Sequence, residues 1–261
     1  MTDKKINIGE AVNAGWRIAT KNWLFFVGVL FVILLINWGE GFIMSMVTSK
    51  KQVVADIMVF VLDVAFYAVN ILIALGIIKI ALNFLKNNTA KFSDLFSQSN
   101  LILKSFVVGL LIALFTVLPI LIPLGLFGIT MLFPLSIAIN ITRVVLGVLG
   151  IVGVFFSVYF ALRFMYSQYF LIDKNSGIID SLKLSSEATR GVKWQLIGFG
   201  FVSLGIVILG FIALLVGLFV AIPVAILANA AIYLQLTGQS VSAATAPMAM
   251  KTPEMPSGPT A

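Results

Sequence analysis

From Leu101 to Ile172 the chain runs for 72 residues with only Lys104, Arg143 and Arg163 charged. A membrane span needs about 20 apolar residues, so this run holds several spans' worth of apolar chain. Three further apolar runs accompany it: Trp23–Met46, interrupted by Glu40, then Val53–Leu85, and Trp194–Leu236. In lipid each backbone polar group must be satisfied within the protein, which helices achieve segment by segment. The expected fold is therefore all-α, a polytopic membrane helical bundle.

Composition agrees. Soluble domains are about 45–50% apolar and roughly 25% charged, whereas this chain of 261 residues is 61% hydrophobic and 10% charged. Its mean hydropathy is +1.12. The formal net charge is +7, but the basic residues gather at the ends of apolar runs. That placement points to membrane topology and anionic lipid headgroups, not to nucleic acid. Cysteine and histidine are both missing, which excludes disulfides, thiolate nucleophiles, histidine bases and Cys- or His-ligated metals. There is no phosphate-binding glycine loop and no hydrolase or kinase motif. No cofactor and no enzymatic activity are expected. No small-residue cleavage site follows the first apolar run, so it reads as a retained span.

Charge sets the topology. Lys4, Lys5, Arg17 and Lys21 precede the first span and place the N-terminus in the cytoplasm. Two crossings return the chain inside at Lys86, Lys91 and Lys104, and Lys174, Lys183, Arg190 and Lys193 must also lie inside. An even number of crossings then separates residues 101 and 172. Four would need about 80 residues plus turns, so two are expected. The surplus around Pro119, Pro123 and Pro134 is assigned to a broken, interfacial or re-entrant segment. Trp194–Leu236 reads as a tight hairpin turning near Gly217. The expectation is six spans in the cytoplasmic membrane with both termini inside. Residues 1–237 form one integral membrane domain, and 238–261, rich in Ala, Thr, Ser and Pro, form a disordered cytoplasmic tail.

Three polar-amphipathic segments each lead into an apolar region: Ile8–Trp23, Phe92–Phe106 and Ile179–Trp194. They read as interfacial helices, each followed by a hairpin and together used three times. The first and third match best, through Glu10 and Asp180, Val12 and Leu182, and the basic-Trp endings at Lys21–Trp23 and Lys193–Trp194.

Residues Arg163-Phe164, Phe170-Leu171-Ile172-Asp173, Gly177 to Ser185, Thr189-Arg190-Gly191 and Trp194 form a block. It resembles uncharacterised prokaryotic integral-membrane families related to the membrane domain of glycerophosphoryl diester phosphodiesterases. Lys21-Asn22-Trp23 and Phe92 to Phe96 also fit. Ser181 and Arg190 depart from the usual Ala and Lys. The resemblance implies a multi-span helical domain and brings no active site.

Asp56, Asp63 and Asn70 recur every seven residues and share one helix stripe. Such a stripe serves either a proton or cation pathway, making the chain a small transporter or channel, or a structural pairing of Asp63 with Arg143 or Lys50 at the outer interface. Arg163 and Arg143 are candidate anchors or anion contacts, Arg163 at the inner end of its span. Lys79, Lys86, Lys183, Arg190 and Lys193 are candidate lipid-headgroup contacts. The i+3/i+4 order of Asp180, Lys183, Glu187 and Arg190 predicts a mutually paired helix face. Gly147, Gly150 and Gly153, and Ala221 and Ala225, predict close helix packing. The expected role is structural, lipid-organising or partner-binding. The expected partners are membrane lipids with anionic headgroups and a protein in the membrane.

Overall fold

The computed structural model describes residues 5–48, 53–132, 137–213 and 217–239. The tail beyond Gln239, Lys50 and Pro134 lie outside the described residues. Among the described residues the chain is helical, with no strand. In chain order the helices are α1 (Ile8–Lys21), α2 (Trp23–Thr48), α3 (Val53–Asn87), α4 (Ile102–Thr130), α5 (Ile137–Phe164), α6 (Ser167–Asp173), α7 (Ile178–Ala188), α8 (Lys193–Ile212) and α9 (Leu218–Leu236). Six of these, α2, α3, α4, α5, α8 and α9, are long and apolar enough to cross a membrane. The chain is a multi-pass membrane protein.

Helix ends follow local chemistry. The Asn7 side chain accepts from the Glu10 amide at 3.0 Å and starts α1. Asn88, just past α3, takes φ +58°, a left-handed stop that Asn tolerates. After α9, Gly238 takes φ +67° and the Gln239 amide donates back to the Leu234 carbonyl at 2.9 Å. This pattern satisfies carbonyls left open by the last turn.

α9 is the centre of the bundle. Within its apolar window 56% is buried inside the protein, against 6–17% for the other spans. α1 runs antiparallel along its C-terminal half. The Asn7 amide donates to Gln235 at 3.0 Å, and Gly15 lies against Val224 and Ala228. A Cβ on Gly15 would stand 2.7 Å from the Val224 carbonyl oxygen, so the approach requires glycine. The stripe of Ala11, Ala14, Ile18 and Ala19 is buried in the core against protein.

The region from 101 to 172 holds two helices long and apolar enough to cross, the number expected, but the surplus lies elsewhere than expected. Pro119 and Pro123 sit inside the continuous helix α4. The extra length becomes α6, set off from α5 by a break at Met165–Tyr166. The Pro119 carbonyl presses against α5 at Gly153, where a Cβ would stand 2.0 Å from it. Gly147 and Gly150 have no such neighbour. The middle amphipathic segment folds as two short 3-10 helices, Phe92–Phe96 and Ser99–Leu101. It docks on α3 where Gly76 admits the Leu95 backbone. Asn83 also donates to Asp94 at 2.9 Å.

α8 and α9 form the hairpin foreseen at Gly217. Gly217 caps α9, and Gly210 and Ala221 meet across the turn.

Candidate functional site

The break between α5 and α6 exposes backbone groups that α7 satisfies. Ser185 Oγ donates to the Arg163 carbonyl at 3.0 Å and accepts from the Tyr166 amide at 3.2 Å. Thr189 Oγ1, one turn on, donates to the same carbonyl at 3.3 Å. Both side chains are fully buried. They fix α7 across the end of α5. The neighbouring side chains Lys183, Ser186, Glu187 and then Arg190 line the same recess as the Arg163 side chain.

Gly191, at φ +89°, reverses the chain into α8. Lys193, the first residue of α8, returns to α5, where its ammonium sits 3.4 Å from the Tyr159 ring centroid. That distance is a close cation–π contact. Tyr159 and Arg163 are four apart on α5 and share a face. The Arg163 Nε donates to Ser186 Oγ at 2.6 Å, which holds the guanidinium in place.

An open polar recess of about 410 Å³ is lined by Tyr159, Arg163, Lys183, Ser186, Glu187, Arg190 and Lys193. Four cations face one carboxylate. Among the described residues the one salt bridge is Lys86–Asp173. The paired face predicted for Asp180, Lys183, Glu187 and Arg190 is thus corrected: no ion pair forms within it, and Lys183 and Arg190 line the recess. Like charges gathered around one recess repel one another, and an anion placed among them relieves that repulsion. The arrangement suits an anion with several acceptor oxygens.

The other candidates lie elsewhere. Lys86 pairs with Asp173, which also accepts from the Tyr233 hydroxyl at 3.0 Å and from Gln239 at 2.9 Å. Lys79 is half-buried on α3, away from the recess. Asp56 and Asp63 are exposed on α3. Asn70 donates to Glu40 at 3.3 Å and to the Phe66 carbonyl at 3.0 Å. The expected pairing of Asp63 with Arg143 does not occur. Arg143 instead donates to the Thr130 carbonyl at 2.7 Å and reaches Asn140 at 3.5 Å. The open carbonyls at the end of α4 are a nearer partner for it.

Of the lining residues, Tyr159 and Ser186 went unnoticed in the sequence. The Tyr159–Arg163 spacing of one turn was the available signal. A second recess, apolar and about 550 Å³, lies between α3, α6, α8 and α9 with Ser203 and Asn229 as its polar lining. No family model, curated protein or solved structure matches this chain.

Proposed function

We propose that this protein is a non-enzymatic membrane protein that binds the headgroup phosphate of an anionic lipid in the recess of Arg163, Lys183, Arg190 and Lys193. One observation carries the reading. Four cations from α5, α7, the turn after it and the start of α8 converge without a carboxylate paired to any of them. They stand where the amphipathic α7 meets span ends, the level at which headgroups lie. The same block, Arg163 to Trp194, carries the resemblance to the membrane domain of glycerophosphoryl diester phosphodiesterases, and kinship with it belongs to this proposal. The transport reading has less support, because Asp63 faces outward and Asn70 is engaged by Glu40.

The test is lipid retention by native mass spectrometry after reconstitution in equal phosphatidylglycerol and phosphatidylcholine. The wild type retains phosphatidylglycerol preferentially. Arg163→Gln and Lys193→Gln each lower that preference about fivefold, from about 1 kcal/mol per basic residue. Unchanged retention in the double variant contradicts the proposal.

A further inference from the structure

We infer that the recess selects a phosphate carrying at least two negative charges, a phosphomonoester or diphosphate headgroup, over the singly charged phosphodiester of common anionic lipids. This rests on the proposal that the recess binds a lipid phosphate.

Charge is the first argument. Arg163, Lys183, Arg190 and Lys193 stand against Glu187 alone. A monoanion leaves two of those positive charges unmatched, whereas a dianion removes one more of them. Geometry is the second. Arg163 commits Nε to Ser186, which fixes the guanidinium at the recess wall beside Tyr159. A guanidinium takes two phosphate oxygens side by side. A phosphodiester has only two unesterified oxygens, so the fork uses both. A phosphomonoester has three, and the third is left for the Lys183 or Lys193 ammonium or the Tyr159 hydroxyl. Size is the third. An open recess of about 410 Å³ leaves room for a phosphate together with a second phosphate or a glycerol.

The experiment uses the full chain in nanodiscs with phosphatidic acid competing against phosphatidylmethanol. The two share glycerol and chains; the methyl cap removes one charge and one free oxygen. At about pH 8 the monoester is doubly ionised, its second ionisation lying near 6. Native mass spectrometry of the wild type should show phosphatidic acid retained about tenfold over phosphatidylmethanol, the order expected for one added charge near surface-screened cations. Inorganic diphosphate should displace it, and Arg163→Gln should abolish the discrimination. If phosphatidic acid is lost at the lowest diphosphate added, whatever the lipid ratio, the ligand is a soluble phosphate and the headgroup assignment is overturned. Equal retention of both lipids, still above phosphatidylcholine, overturns this inference and leaves headgroup binding intact. Retention of neither above phosphatidylcholine overturns both.

Discussion

Two lysines on this chain show how differently the same side chain is used. Lys86 is 30% exposed and locked to Asp173, itself 11% exposed and bonded to Tyr233 and Gln239. Asp173 therefore ties α3, α6 and the end of α9 together. Asp173→Asn keeps the acceptor oxygen but strands a half-buried ammonium. The expected loss is about 2 kcal/mol, read as a thermal midpoint in detergent lowered by roughly 4–8 °C. An unchanged midpoint would show that the bridge is only incidental. Lys193 has no carboxylate partner and rests on an aromatic face. Lys193→Gln should move the midpoint by less than about 2 °C, since surface changes of this kind stay within about 0.5 kcal/mol. Its effect belongs to lipid retention. A destabilisation as large as that of Asp173→Asn would assign Lys193 to the scaffold.

At the scale of elements, close backbone approaches carry the architecture, and they divide what was legible from what was not. The ends of the spans were legible, because Lys, Arg, Asn and Trp punctuate the apolar runs. The crossing of α4 and α5 at Gly153 was half-legible: the glycine triplet pointed to packing, but only one member makes it. Gly76 gave no signal, because its partner is the backbone of the linker at Leu95, not a spaced residue on another helix. The recess followed the same pattern. Arg163, Lys183, Arg190 and Lys193 stood out singly, yet their convergence depends on the α5–α6 break and on the Gly191 turn, neither of which is periodic. A test at this scale is Gly15→Val. The added side chain meets the Val224 carbonyl, a backbone atom that cannot rotate away, and overpacking of this kind costs about 1–3 kcal/mol. Amide exchange across residues 8–21 should accelerate well beyond that elsewhere in the bundle. Uniform protection would show that α1 accommodates the change and that the Gly15 contact is not a constraint.

At the scale of the whole molecule, one buried helix organises a loosely packed set of spans. α9 is surrounded by α1, α2, α3 and α8, while α4 and α5 pair mainly with each other. Most apolar surface of the spans faces outward, as expected where lipid chains or a neighbouring membrane protein supply the contact. The linkers before α4 and α8, the start of α1 and the end of α9 gather at one end through Asn83–Asp94, Ile6–Gln195, Asn7–Gln235 and Asp173–Gln239. Because the chain lacks cysteine, sidedness is open to single-cysteine labelling with an impermeant maleimide. Asn175, exposed at the recess end, should label only after the membrane is opened, and Thr48, exposed at the far end of α2, should label in intact cells. Labelling of both from the same side would contradict the even-crossing topology. The basic recess is proposed to hold a lipid phosphate. An experimental density map of the protein reconstituted with anionic lipid tests it most directly. A phosphate is expected within hydrogen-bond reach of the Arg163 guanidinium and the Lys193 ammonium. A map in which lipid phosphates line the spans but none enters the recess would contradict it.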